Sequence, residues 1–222
     1  MSHQKSLIGL LAFAIALGVC RPSTASTVTV DLSSATSSTL IVAPGASFAQ
    51  TFAGQTVVGT GISGSASNPL TLAPSGELDV EFWNPGVSAA SNSILPQPNN
   101  QAPLSVLLDS TADSVSWTMG FADSAGPISI DFFSSTGSLV AFVSEPLVSG
   151  YNVYTFSGLG DFQGFTIFDD NDPAGLRFQN FSYDSVGGSR TPEPCSLILL
   201  GTGLLSVAGL RRRRSAARTR VQ

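Results

Sequence analysis

Strict alternation of apolar and polar residues, repeated in many short segments, is the feature that most restricts the fold. Three runs show it clearly, at residues 78–82, 115–121 and 128–132. A period of two belongs to a β-strand that turns one face towards a core. Weaker runs of the same kind lie at 27–32, 47–52, 56–62, 104–108, 139–144, 152–156, 165–168 and 176–183. We therefore predict an all-β domain in which about eleven strands form a two-sheet β-sandwich.

Turn residues between the runs predict how neighbouring strands connect. Residues 123–127 and 134–137 are rich in Ser, Gly, Asp and Pro, so residues 114–144 should form a three-stranded meander. Residues 84–103 are polar and contain several prolines, which predicts a long surface loop. The apolar pattern changes parity between Phe178 and Phe181, and this change predicts a β-bulge.

The central part of the chain lacks the residues that most catalytic sites require. The single histidine is His3, the two cysteines are Cys20 and Cys195, and the single lysine is Lys5, all outside residues 26–190. Ser-His-Asp hydrolysis, Cys-His proteolysis, Schiff-base chemistry and His/Cys zinc sites are thereby excluded from this region. We predict a protein that is not an enzyme and requires no cofactor.

Carboxylate chemistry survives this exclusion as an alternative. Glu77, Asp79 and Glu81 share one face of a predicted strand at a spacing of about 6.8 Å, which is compatible with an inverting glycosidase pair. Alternating acids on a strand more often form its solvated face. Phe82 and Trp83 follow them and could stack on a sugar ring, although packing at the sheet edge or in the core is the commoner role of such residues.

The densest group of oxygen ligands lies at residues 169–172. Asp169, Asp170 and Asp172 precede Pro173, and a hard cation such as Ca²⁺ takes six to eight oxygen ligands. The spacing does not fit the EF-hand pattern, because a proline stands where the third ligand should be. The two interpretations are a polar turn and a structural calcium site.

The charge distribution is strongly uneven. Fourteen of the fifteen acidic residues lie between residues 26 and 191, where the basic residues are Arg177 and Arg190 alone. Nucleic-acid binding depends on Lys and Arg that neutralise phosphates, so this surface predicts no nucleic-acid partner.

The first 25 residues have the three parts of a secretory signal peptide. Lys5 lies in the leading segment, residues 7–19 are apolar, and small residues precede Ser26. Signal peptidase should therefore cleave after Ala25. The competing interpretation is a lipoprotein signal acylated at Cys20, in which Val19 is larger than the residue usual at that position.

The C-terminus has the order of a membrane-sorting signal. Thr191 precedes the motif Pro192, Glu193 and Pro194, and residues 195–210 carry no charge. As a transmembrane helix this segment would reach about 24 Å, which is short for a hydrocarbon core of about 30 Å. The positive-inside rule keeps the following arginines in the cytoplasm and places residues 26–190 outside the inner membrane. These arginines are Arg211, Arg212, Arg213 and Arg214.

This tail resembles the PEP-CTERM sorting domain. The resemblance covers about 30 residues and consists of Pro192 to Pro194, the short apolar helix and the terminal arginines, with Cys195 where the family usually has a small or apolar residue. It implies that an exosortase recognises the Pro-Glu-Pro motif, cuts near it and releases the protein to the cell surface or the extracellular space. It also implies a bacterium that makes extracellular polysaccharide. An ordinary C-terminal anchor is the alternative.

The segments 128–139 and 164–183 are similar to the jelly-roll, lectin-like ectodomains often found before this signal. That family usually has Asp-Asn in the final strand, whereas this chain has Gln179 and Asn180. We expect three parts: a signal peptide at 1–25, a jelly-roll-like β-sandwich at 26–190 and the sorting signal at 191–222. The expected function is that of a non-catalytic protein of the cell surface or polysaccharide matrix. The alternatives are a secreted carbohydrate-binding module and, more remotely, a glycosidase.

Overall fold

β-Strands make up the regular secondary structure of residues 26–122, 126–169 and 175–186, which are the parts of the chain that the computed structural model describes. The all-β prediction is confirmed. The described residues lie in one compact unit, Ala25–Gly188. The strands are β1 (Ser26–Thr29), β2 (Ile41–Ala43), β3 (Ala46–Ala49), β4 (Thr51–Phe52), β5 (Gln55–Val58), β6 (Gly61–Gly64), β7 (Leu72–Ala73), β8 (Leu78–Trp83), β9 (Ser91–Pro96), β10 (Leu104–Ala122), β11 (Pro127–Phe133), β12 (Leu139–Pro146), β13 (Gly150–Asp169) and β14 (Arg177–Ser185).

Ten of these strands form one large antiparallel sheet. Its main path runs β12-β11-β13-β10-β14-β9-β8, while β1 pairs with β14, β3 with β10 and β2 with β3. Two small ribbons, β4 with β7 and β5 with β6, complete the described strands. The hydrogen bonding therefore differs from the predicted pair of separate sheets.

The large sheet folds over on itself, and this folding creates the core. Val106 pairs with Phe165 and Trp117 pairs with Tyr154, two positions that would lie about 36 Å apart along a straight strand. Yet the ring centroids of Trp117 and Phe165 are 5.2 Å apart. The register of β10 shifts between Leu107 and Ser114, and bulges at such shifts bend a strand pair. Two halves of one sheet thus face each other.

Aromatic rings fill the space between the two halves. Trp117 is fully buried and stacks on Phe156 at 5.1 Å as well as on Phe165. Phe48 of β3 meets Phe181 of β14 at a centroid distance of 5.2 Å. Such pairs contribute about 0.5 to 1.5 kcal/mol each beyond the burial of their area. The core therefore holds the fold without a disulfide among the described residues.

Two connections differ from the sequence-based prediction. The prediction of a meander over residues 114–144 is wrong, because β13 inserts between β10 and β11. Of the three strands in that region, β11 and β12 are the consecutive pair that forms a hairpin. The predicted strand at 56–62 is instead the hairpin of β5 and β6, whose turn contains Gly59 with a φ of 65°. A positive φ costs glycine little, which allows the tight reversal.

The segment 84–103 is also not one long loop. It contains β9, which pairs with β8 along its whole length and with β14 at Phe178. Ile94 and Leu95 are buried, and this burial stabilises a short strand between polar flanks. The predicted bulge in β14 is confirmed, since the register with β10 shifts there and Asn180 has a φ of 54°.

Several predicted segments lie outside the described residues. They are the signal peptide at 1–25, the Pro-Glu-Pro motif, the apolar segment 195–210 and the arginines 211–214. Within the described ranges, no helix has both the length and the apolar character needed to cross a membrane.

Candidate functional site

The predicted calcium ligands cannot be placed as a group. Asp169 ends β13 and pairs with Ile128, whereas Asp170 and Asp172 lie outside the described residues. In the described part of the chain, no group of three His, Cys, Asp or Glu side chains could hold a metal ion. The sorting residues Pro192, Glu193 and Pro194 are likewise outside it.

The acidic row on β8 is engaged in structural contacts. Glu81 forms an ion pair with Arg177 at 2.5 Å, and Asp79 accepts a hydrogen bond of 2.8 Å from the side-chain amide of Gln97. A glycosidase needs two carboxyl groups that flank a sugar bond, one of them available as an acid. Two of the three acidic side chains are bound to neighbouring residues of the protein, and these contacts favour a structural role for the acidic row over a catalytic one.

Phe82 lies on the same face of β8 as the buried Leu78, but its ring is exposed, so the expectation that this apolar face packs into the core is wrong at the end of the strand. Leu78 is fully buried at the start of the strand, Val80 is half-buried and Phe82 is 70% exposed. β8 is the last strand of the main path of the sheet, and its burial decreases from Leu78 to Trp83. An aromatic ring is thereby presented to the solvent.

The exposed ring forms one wall of a hollow of about 340 Å³, which we call the Phe82 pocket. Three separate parts of the chain build it: the ends of β8 and β9, the turn at 30–33 and the bulge of β14. Phe82 and Asn92 are direct partners across the β8–β9 pair and so share one face. The lining residues are Val30, Asp31, Leu32, Ser33, Phe82, Ala90, Ser91, Asn92 and Asn180.

The turn at 30–33 gives the pocket its charge. The carboxylate of Asp31 accepts a hydrogen bond of 2.9 Å from the amide of Ser33. This bond, together with one from the Ser33 hydroxyl, lowers the pKa of Asp31 below its ordinary value. The side-chain amide of Asn92 donates to the carbonyl of Leu32 at 2.8 Å and ties the turn to β9. Asp31 is thus held as an ionised group.

Asn180 fastens the opposite wall of the pocket. The bulge gives its backbone a left-handed conformation, which asparagine tolerates better than most residues. Its amide nitrogen donates to the hydroxyl of Ser88 and to the carbonyl of Ala89, both at 2.8 Å. Its amide oxygen accepts a hydrogen bond of 2.9 Å from Ser91. One side chain therefore links β14 to β9 and to the loop at 84–90.

Trp83 points to the other side of β8 and is held by two neighbours. The guanidinium carbon of Arg177 lies 4.4 Å from its ring centroid, and Tyr151 stacks on it with a centroid distance of 6.0 Å. Burial raises the pKa of Tyr151, although the nearby Arg177 acts in the opposite direction. A Cβ at Gly120 would lie 2.0 Å from the Tyr151 ring, so glycine makes room for it. Trp83 is therefore held by its neighbours at the end of β8, whereas the Phe82 ring on the opposite face is exposed to solvent.

The sequence identified Phe82 as a residue that could stack on a sugar but did not identify its polar companions. Asp31 and Asn92 lie in segments that carry no recognisable motif, and sequence distance conceals their proximity to Phe82. The change of parity near Asn180 was the one available signal, because it placed a bulge where the structure has the pocket wall.

Comparisons with known proteins give structural neighbours only. No protein-family model and no curated protein matches the sequence. A family 29 carbohydrate-binding module complexed with mannohexaose has a TM-score of 0.35 and 13% identity, covering 73% of this chain and 93% of that chain. The family 11 carbohydrate-binding module from Clostridium thermocellum, complexed with a β-1,3-1,4-mixed-linked tetrasaccharide, has a TM-score of 0.31 and 10% identity, covering 49% and 82%. Similarity at this level assigns no ligand to this chain.

Proposed function

We propose that the exported region is a non-catalytic carbohydrate-binding domain that contacts sugar through the Phe82 pocket. The observation that carries this proposal is a phenylalanine 70% exposed on the wall of a concave surface, beside a carboxylate and two asparagines. Ligand sites combine concave apolar surface with a few placed polar groups. A pyranose ring offers the matching chemistry, because it has an apolar face for the ring and hydroxyls for the polar side chains. The lectin-like, jelly-roll character expected from the sequence agrees with this proposal.

The energetics support a bound ligand of this kind. Covering a phenylalanine side chain gains about 1.5 to 3 kcal/mol relative to leaving it in water. The pocket is also fixed before binding, because Asn92 and Asn180 tie its walls to their neighbours. A preorganised site loses less conformational entropy when a ligand binds.

Phe142 provides a matched control for testing the role of Phe82. It lies in β12 at the far end of the sheet path and is 58% exposed. The full-length chain, purified in mild detergent, is run through gels containing soluble polysaccharides. Phe82→Ala should weaken retention at least about tenfold, the equivalent of the 1.5 to 3 kcal/mol above. Phe142→Ala should leave retention unchanged.

Two results would contradict this function. One is that the unaltered chain is retained by no polysaccharide in a broad panel. The other is that Phe142→Ala reduces retention as much as Phe82→Ala. Circular dichroism of both variants checks that any loss does not come from unfolding.

We further propose that the chain is exported, sorted at its C-terminus and placed at the cell surface or in a polysaccharide matrix. The support is the sequence order of Pro192, Glu193 and Pro194, the apolar segment 195–210 and the arginines 211–214. Signal peptidase and an exosortase are the proposed processing partners. Intact-mass measurement of protein from the native host should show a chain without the arginines. Recovery of the complete C-terminus would indicate a plain anchor instead.

A further inference from the structure

The Phe82 pocket offers its ligand hydrogen-bond acceptors, because its side-chain donors are already used inside the protein. The Asn92 amide donates to the carbonyls of Leu32 and Ser33 at 2.8 and 3.4 Å. The Asn180 amide is used by the loop at 84–90, and the Ser91 hydroxyl by Asn180. The Ser33 hydroxyl bonds to the Asp31 carboxylate. Among the described side chains of the lining, the Asn92 amide oxygen and the Asp31 carboxylate, which keeps acceptor capacity beside its bonds from Ser33, can accept hydrogen bonds from a ligand. A ligand that bonds to these side chains must therefore supply the donors.

The negative charge of the pocket also favours a ligand that donates hydrogen bonds and carries no negative charge. Asp31 is the charged residue of the lining, and its hydrogen bonds favour the ionised form. Arg177 is the one basic residue in the described part of the chain, and its side chain is 4% exposed and paired with Glu81. No exposed cation of this region is available to neutralise a carboxylate or a sulfate on a ligand.

From this inventory we infer that the pocket selects uncharged glycans that donate hydrogen bonds and rejects acidic ones. The ligand class is a neutral hexose polymer, whose hydroxyls donate to Asp31 and Asn92 while one ring face covers Phe82. A uronic acid or sulfated sugar of the same shape would bring a negative charge towards Asp31. This inference rests on the proposed function and specifies its substrate class.

Oligosaccharide pairs that differ only at carbon 6 provide the test. Gluco-, manno- and galacto-configured hexamers are each compared with their 6-carboxylate counterparts by calorimetry on the full-length chain. For the configuration that binds, the neutral member should bind at least about tenfold more tightly at low salt. The difference should shrink in 0.5 M NaCl, because salt screens repulsion between exposed charges.

Two variants with the same change of net charge test whether the preference for neutral over acidic hexamers comes from the pocket. Asp31→Asn should narrow the difference between the neutral and acidic hexamers, because it removes the nearest negative charge. Asp113→Asn makes the same change of net charge at an exposed position in β10 and should leave the difference intact. If both variants narrow it equally, selectivity comes from the net charge of the domain, and the inference about the pocket is wrong.

The outcomes separate this inference from the proposed function. Preferential binding of an acidic hexamer, abolished by Phe82→Ala, would overturn the inference and leave the sugar-binding function standing. Binding of hexamers that is unaffected by Phe82→Ala, or absent for every hexamer, would overturn both. Neutral preference that depends on Phe82 and Asp31 supports both.

Discussion

The ion pair between Glu81 and Arg177 holds the end of β8, and its contribution to the free energy of unfolding can be measured by mutation. The Arg177 side chain is 4% exposed and the Glu81 side chain 57% exposed. Removing one partner of a fully buried pair costs about 3 to 5 kcal/mol, whereas an exposed pair contributes about 0 to 1 kcal/mol. With one partner buried and the other in solvent, we expect Glu81→Gln to lower the free energy of unfolding by about 1 to 2 kcal/mol.

Thermal unfolding followed by circular dichroism measures this loss. A domain of this size loses about 2 to 4 °C in Tm for each kcal/mol, so the expected decrease is about 2 to 8 °C. Glu77→Gln is the control, because Glu77 is exposed and immediately precedes β8. Glu81→Gln should cost nothing further in an Arg177→Met background. Equal Tm values for the Glu81 and Glu77 variants would refute the claim that the pair holds this strand end.

Three further predictions concern packing, burial and metal binding. Gly164→Ala should lower the free energy of unfolding, measured in urea, by about 1 to 3 kcal/mol, because a Cβ there would lie 2.7 Å from Phe52 and 2.9 Å from the backbone oxygen of Val106. Gly61→Ala is the control and should leave the free energy of unfolding unchanged, since the nearest atom to its Cβ is 3.7 Å away. Burial raises the pKa of Asp131 above 3.8, so the ionised carboxylate destabilises the folded protein at pH 7 and Asp131→Asn should raise Tm there. This increase in Tm should vanish below pH 3.8, where the carboxyl group is protonated in both the folded and the unfolded protein. If residues 169–172 bind calcium, millimolar Ca²⁺ should raise Tm by several degrees, and Asn at each aspartate of that segment should abolish the shift; equal melting in calcium and EDTA would argue against the site.

Local pattern was sufficient to predict the strands with strong alternation. The runs at 78–82, 115–121 and 128–132 all lie in strands, and the bulge near Asn180 followed from parity alone. The order of strands in the sheet could not be obtained this way. The pairing of β13 with both β10 and β11 depends on contacts between distant parts of the chain, which a local pattern does not encode.

The strand β9 was missed for a different reason. Its apolar signal consists of Ile94 and Leu95 between serines, asparagine and prolines, a composition typical of loops. Burial against β8 and β14 stabilises it, so the tertiary structure outweighs the weak local preference. The same omission concealed the pocket, because Asn92 of β9 forms one of its walls.

Exposure by itself does not distinguish Phe82 from the other apolar side chains on this surface, since single exposed apolar residues are common in soluble proteins. Phe142 is nearly as exposed, yet it does not line the Phe82 pocket, whereas Phe82 lines it beside Asp31 and Asn92. The difference lies in the surroundings of the ring: a concave wall, fixed acceptors and a negative charge. The concave wall with its exposed ring favours a ligand that has an apolar face. The fixed acceptors favour a ligand with hydroxyl donors, and the negative charge of Asp31 disfavours a ligand that is itself negatively charged. A neutral sugar ring meets all three requirements, which is why the comparison of Phe82 with Phe142 tests the site and not merely the hydrophobicity of the surface.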